Sequence, residues 1–594
     1  MHTYTEKDRP FMQEIRYRIF ARKVIIYTEW KVCESSDELL TSPLFLELLE
    51  RYCAELQRSD SYLLALFKNR CADQDTLSVL ALTLQHLAKL PADAVIKLVE
   101  GSALFFKNSA LFTDFVEQLY NYWRSYDRFI LCDSEGNRLD KRPYRTFNLT
   151  IEKLTDLIRG VYRDTVENIT MTHPRIYRQT TAAAEIAAIS LPRRLDLPVA
   201  LRAPLGDVPV IRQVLINPPL ILNPPMNKRT GRFIKVDSNP LAGIDFDADE
   251  WLCYPAKVGH LIILIYFHAT FFELGFSLCN LFELADDDEL HRTPDAVYAF
   301  GVPENTLDHL ADFPTVFYED PDTGLLIAAV SRGDAFGYFG YLKKMVLTLH
   351  NVKMMRAGKF PFHGAFVKIL LDGGTEKNIL IIGDTGAGKS ETLEAFRTIG
   401  SSALKGMFII ADDMGSIEIG TAGALRGYGT ETGAFLRLDD LQPGYAFGQI
   451  DRSIIMSPSQ VNARIVMPVT TIDMVTSGHR VDMILYANNY EQVDDEHPII
   501  ERFEKVEQAF TVFREGTVMS KGTTTSTGIV HSYFANIFGP PQYRDLHDEI
   551  ALKYFNAFFA RGIFVGQMRT RLGITGFETS GPEEAARALL DSLR

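Results

Sequence analysis

Cysteine is scarce in this chain. Six cysteines, Cys33, Cys53, Cys71, Cys132, Cys253 and Cys279, are spread over 594 residues, with no C-x-x-C pair and no zinc-like spacing. A disulfide framework or structural zinc site is therefore not the organising device, and reduced, mostly buried thiols of a cytoplasmic protein are expected. Long apolar runs are missing too. The most membrane-like segment, residues 258–282, is interrupted by His260, His268 and Glu273, and its longest apolar stretch, residues 261–267, has only the length of a strand. A buried strand followed by a core helix is expected there, and no membrane partner. The first residues lack the apolar centre of a signal peptide. Positive charge is in deficit: 62 Lys and Arg face 76 Asp and Glu, a formal net charge of −14. That balance argues against a nucleic-acid partner or an anionic surface.

What is present is a phosphate-binding signature. An apolar run at residues 379–382 leads into Gly383-Asp384-Thr385-Gly386-Ala387-Gly388-Lys389-Ser390, after which Glu391, Leu393 and Phe396 open a helical pattern. Every position of G-x-x-x-x-G-K-[ST] is filled, in the strand–loop–helix context that the motif requires. The glycines allow backbone N–H groups to turn toward phosphate oxygens, and the helix adds its positive end. Lys389 is suited to the β- and γ-phosphates of ATP and the Ser390 hydroxyl to Mg²⁺. Residues 407–413 read as a second strand ending in Asp412 and Asp413, the placement of a Walker B acid.

Length and punctuation divide the chain in three. Residues 1–200 read as a mostly helical extension, with Leu77, Leu80, Leu84 and Leu87 at helical spacing. Its expected role is packing or self-association. Residues 201–335, with short Pro- and Gly-bounded elements, read as an α+β domain on the substrate side. Residues 336–594 carry the chemistry, in an α/β nucleotide- and metal-binding domain. There Tyr338-Phe-Gly340-Tyr-Leu-Lys343-Lys344 opens a helix, His363 precedes a strand, and Arg464 begins another.

These segments together resemble phosphoenolpyruvate carboxykinase, most closely the ATP-using type. The family's Y-x-G-x-x-K-K segment is matched by Tyr338, Gly340, Lys343 and Lys344, its histidine by His363, its kinase loop by residues 383–390, its paired acids by Asp412 and Asp413, and its N-x-R strand by Asn462 and Arg464. The similarity spans roughly residues 330–594, with an echo at Thr230-Gly231-Arg232. It implies the carboxykinase fold, ATP with Mg²⁺ and Mn²⁺ as cofactors, and oxaloacetate and phosphoenolpyruvate as the carboxylate substrate and product. It further implies Lys344, His363 and Asp413 as Mn²⁺ ligands, Ser390 on Mg²⁺ with Asp412 beside it, Arg464 on the phosphoryl group in transfer, and Arg232, Tyr338 and Lys343 around the substrate. Arg569 and Arg571 are expected either as an adenine-side wall or as a solvated turn.

The loop Gly-Asp-Thr-Gly-Ala-Gly-Lys-Ser-Glu, with His363-Gly-Ala and Ala-Asp-Asp, also resembles HPr kinase/phosphorylase. This keeps open a kinase acting on a protein or metabolite hydroxyl with Asp412 as base. A third reading is a non-catalytic nucleotide sensor or assembly protein.

Overall fold

The computed structural model describes residues 16–28, 32–67, 74–132, 143–173, 182–191, 194–399, 404–438, 447–521 and 527–593. Cys71 lies outside them, and the cysteines within them are all free. The chain is mixed α/β and separates into two compact units, residues 1–191 with 211–217, and residues 192–210 with 218–594. Residues 218–594 thus hold together across the boundary expected near 335.

The first unit is not only helical. Lys23–Thr28, Asp127–Cys132 and Ile186–Leu191 are neighbouring parallel strands, with Arg16–Phe20 antiparallel at the edge. Between the strands run the helices that the leucine spacing predicts. Pro43–Arg58 begins with Ser42 accepting the Phe45 N–H and Pro43 in the first turn, where a missing N–H costs nothing. Leu77, Leu80, Leu84 and Leu87 are all buried on the inner face of Gln74–Leu87. The strands escape the leucine pattern because they are β-branched runs such as Lys23-Val-Ile-Ile-Tyr-Thr28, whose burial on both faces removes any alternation.

The second unit contains two large sheets. In one, Trp251–Val258 and Leu261–His268 form an antiparallel pair, and Ala296–Val302 and Leu326–Ser331 follow in parallel. Leu261–His268 is buried along its whole length, which accounts for the membrane-like hydropathy of that segment. Among the described residues no helix is long and apolar enough to cross a membrane. In the other sheet, Phe360–Leu371 lies antiparallel to Glu376–Ile382, which runs parallel to Met483–Asn488, itself parallel to Phe564–Arg569. The helix Phe339–Arg356 is buried on nearly all sides, so its apolar residues show no stripe. A smaller sheet joins Gly433–Arg437, Arg464–Pro468, Ile454–Met456 and Leu220–Leu222.

Candidate functional site

The loop 383–388 leaves strand Glu376–Ile382 and enters helix Lys389–Ile399. Gly386 and Gly388 have φ of +79° and +92°, in the left-handed region that glycine enters freely. A Cβ on Gly388 would lie 2.5 Å from Thr570 Oγ1, which donates to the Ala387 carbonyl at 2.8 Å. Asn489 Nδ2 holds the Gly386 carbonyl at 2.9 Å. Lys389 Nζ donates to the carbonyls of Gly383 (2.5 Å) and Asp384 (3.0 Å), so the ammonium lies across the loop. Burial lowers its pKa against the pull of Asp384 and Asp413. Ser390 is exposed at the start of the helix, Glu391 is half-buried beside it, and the Asp384 carboxylate accepts from the Thr385 N–H.

Backbone pairing brings the histidine and the acids to this loop. His363 lies within strand Phe360–Leu371 rather than ahead of it. The Gly383 N–H donates to the His363 carbonyl at 3.3 Å, and the Gly364 N–H to the Asp413 carbonyl at 2.9 Å. Asp412 and Asp413 follow strand Leu404–Ala411, which runs antiparallel to Phe360–Leu371. The acids therefore reach the loop across the histidine strand, not from a parallel neighbour of the loop strand.

The side chains join the same group. His363 Nε2 is 2.9 Å from Asp413 Oδ1, and Lys343 Nζ is 2.8 Å from Asp413 Oδ2 and 3.0 Å from Glu431 Oε1. The other nitrogen of His363, Nδ1, bonds the Ala535 carbonyl. A carbonyl only accepts, so Nδ1 carries the proton. That carbonyl is presented by Phe534, Ala535 and Asn536, three successive non-glycine residues with positive φ. Each costs about 1–2 kcal/mol in that region, strain that surrounding structure must hold in place.

The charges are strongly coupled. Burial opposes ionisation of Asp413, but Lys343 and His363 outweigh it and hold the carboxyl well below the usual range. Burial would also neutralise Lys343, but Asp413 and Glu431 raise its pKa. Burial pushes Asp412 up to about 6, with Asp413 adding and Lys343 and Lys389 opposing. It pushes Glu431 up to about 8 against Lys343. Part of the Lys344 side chain meets solvent, yet desolvation of its amine, with Arg229 next, pushes the pKa down to about 8.

These residues suit a divalent metal by their donor chemistry. With the Nδ1 proton directed at the Ala535 carbonyl, His363 Nε2 faces an Asp413 oxygen at 2.9 Å, a contact that requires a proton or a cation between them. Burial moves the Lys344 amine toward the neutral form, in which it would offer a second nitrogen donor. Among the described residues no three His, Cys, Asp or Glu side chains gather as a metal site.

The remaining expected residues divide. Tyr338 caps the helix Phe339–Arg356 and is buried; burial raises its pKa, and Arg464, Arg229 and Lys343 all act on it. The Arg464 guanidinium lies 5.4 Å from the Phe435 ring centroid, and its buried Nε has no hydrogen-bond partner. Arg232 is exposed, and the structure gives its side chain no contact with the cluster. Arg229 occupies that side instead: it and Lys344 lie over the Phe538 ring, at 5.8 and 4.8 Å. Tyr341 fixes this turn by accepting from the Thr230 N–H and donating to the Thr230 carbonyl. Arg569 is buried and committed to Glu491 (2.8 Å), Glu501 (2.7 Å) and the Pro498 carbonyl (2.8 Å). Arg571 pairs with Glu584 and packs on Phe577. Both arginines thus serve internal contacts, and it is Thr570 between them that meets the loop.

Sequence reasoning missed Arg229, Glu431 and Thr570. The basic turn 227–236 was visible, but nothing in it distinguishes Arg229 from Arg232. Glu431 belongs to no motif. The small residues around it are the only signal, and their cause is steric: a Cβ on Gly429 or Gly433 would meet backbone oxygens at 2.0 and 1.8 Å. No protein-family model matches the chain, and no curated protein matches it.

Proposed function

We propose that the chain is an ATP-using, divalent-metal-dependent enzyme that converts oxaloacetate to phosphoenolpyruvate, the reaction of the carboxykinases that its motifs resemble. One observation carries this reading. Arg229, Lys344 and Arg464 are three cations with no carboxylate in salt-bridge reach among the described residues, gathered around Tyr338 and Phe538 beside a phosphate loop. Buried cations without a carboxylate partner favour an anion with several negative charges. Oxaloacetate and a transferring phosphoryl group both meet that description.

In the proposed reaction Arg229 and Tyr338 orient the carboxylate. Loss of CO₂ leaves the electron pair of the broken C–C bond as an enolate, whose oxygen attacks the γ-phosphorus as ADP departs. Lys389 and Arg464 neutralise the phosphoryl oxygens in flight. Lys344, His363 and Asp413 would hold Mn²⁺ and Ser390 Mg²⁺. Bound there, the metals would supply Lewis-acid stabilisation of developing oxygen charge. Phosphoenolpyruvate and ADP formed in equal amounts from oxaloacetate, ATP, Mn²⁺ and Mg²⁺ is the expected result. Nucleotide binding without phosphoenolpyruvate would overturn the proposal.

Asp412 supports a second reading. A carboxyl pushed up to about 6 beside Lys389 has the properties of a general base for a hydroxyl acceptor. ADP release dependent on a hydroxyl substrate, with no CO₂ formed, would select that reading.

A further inference from the structure

The unit built from residues 1–191 and 211–217 contains an apolar cavity of about 130 Å³ that the site chemistry does not use. Its wall draws on three helices: Leu44 and Leu48 from Pro43–Arg58, Val116 and Trp123 from Ser109–Arg124, and Leu154 and Ile158 from Pro143–Thr170. Protein interiors are close-packed, and voids much larger than one water are few.

Most polar groups in this wall are already engaged. Ser42 Oγ donates to the Leu39 carbonyl and accepts from the Phe45 N–H. The Tyr122 hydroxyl bonds that of Tyr126, Tyr162 bonds Glu117, and Trp123 Nε1 donates to the Ala182 carbonyl. Burial pushes the Cys33 thiol up to about 12, leaving it neutral. Water entering the cavity would find few of the two to four partners that it needs. A sealed apolar cavity of about 150 Å³ takes up benzene; this pocket offers a similar volume and opens on one side, which gives a ligand a way in. Two of its wall rings, Tyr120 and Tyr162, are stacked at 4.3 Å, and Trp123 adds a third aromatic surface.

We propose that this cavity is a binding site for a neutral, apolar small molecule about the size of a benzene ring or a six-carbon chain. A ligand of that class fills the void and loses no hydrogen bond on leaving water. A carboxylate would be stranded against walls that offer it no free donor.

The test uses the full chain with benzene, 1-hexanol and hexanoate, read by saturation-transfer NMR and by Tm. Benzene and 1-hexanol should bind saturably and raise Tm with concentration, as any ligand selective for the native state does. Val161→Phe and Leu119→Phe each place a ring at the cavity wall. Either should abolish both effects while the far-UV circular dichroism and the cooperative melting of the unliganded chain stay unchanged, the control for folding of this unit. Absence of saturable binding of both neutral probes to the unaltered protein would overturn the proposal. So would binding unchanged in both variants, or preference for hexanoate.

Discussion

Lys343 Nζ stands 2.8 Å from Asp413 Oδ2 and 3.0 Å from Glu431 Oε1, one buried ammonium between two acids that follow separate strands. Lys343 and Glu431 are almost completely removed from solvent, and no other hydrogen-bond partner reaches the Glu431 oxygens. Removing the lysine therefore leaves the Asp413 carboxylate with His363 alone and the buried Glu431 carboxyl without a partner. Lys343→Met should cost about 3–5 kcal/mol, the usual penalty for breaking a buried pair. Urea denaturation reads this as a lower midpoint. Below pH 8, adding Glu431→Gln should move the midpoint little further, because burial already keeps a proton on the Glu431 carboxyl. An unchanged midpoint in the single variant would mean that the ammonium does not hold these segments together.

The same acid makes stability depend on pH. Glu431 titrates at about 8 in the folded chain, above its ordinary 4.5, because burial disfavours the carboxylate. Between those values the native state keeps a proton that the unfolded chain has released. The stability contributed by the neutral carboxyl is complete below the unfolded value and is lost as pH rises through about 8. Lys344, lowered to about 8, acts in the opposite direction above that pH, so the useful quantity is the difference between two proteins. Relative to the unaltered chain, Glu431→Gln should gain Tm from pH 5 to about pH 8 and level off above it. Parallel Tm profiles would show that Glu431 is charged in the native state throughout.

Arg229 and Arg232 allow the proposed substrate-facing role to be told apart from its sequence echo. Arg229 shares the Phe538 ring with Lys344 and depresses its pKa; Arg232 is exposed. Arg229→Met should raise KM for the carboxylate by about 10–100-fold, the loss of one charge-assisted contact of roughly 1.5–3 kcal/mol. It should also move the Lys344-dependent limb of the pH–rate profile to higher pH, because a repelling charge is gone. Arg232→Met should leave both unchanged. Equal losses in the two variants would return the role to Arg232.

The division between what could and could not be read in the chain follows from locality. The strand–loop–helix of residues 376–399 is legible because strand, glycines, lysine and helix start are contiguous, and the structure places them as one turn. The segments bearing Lys343, His363 and Asp413 are legible as motifs, but their meeting depends on sheet order. The acids arrive antiparallel across the histidine strand, which no local pattern encodes. Arg569 shows the opposite case. A basic cluster near the end of the chain suggests a ligand wall, yet its guanidinium closes internal bonds to residues about 70 positions away. The strands of the first unit went unread because continuous burial erases the alternation by which a strand announces itself.

Gly388 offers the most direct test of the phosphate loop. Its φ of +92° lies where a Cβ is strained, and that Cβ would stand 2.5 Å from Thr570 Oγ1 and 2.7 Å from Thr570 Cβ. Gly388→Ala must bear about 1–2 kcal/mol of left-handed strain. It must also displace Thr570, breaking the hydroxyl's bond to the Ala387 carbonyl. The loop N–H groups would then no longer share one focus, and ATP affinity should fall by more than about tenfold, each tenfold being roughly 1.4 kcal/mol. Thr570→Gly in the same chain removes the clash but not the strain, so calorimetry should find an affinity between the two. If Gly388→Ala binds ATP as the unaltered chain does, the loop does not hold phosphate through its backbone. If the double variant is no better than the single one, the strain at residue 388 rather than contact with Thr570 sets the loss.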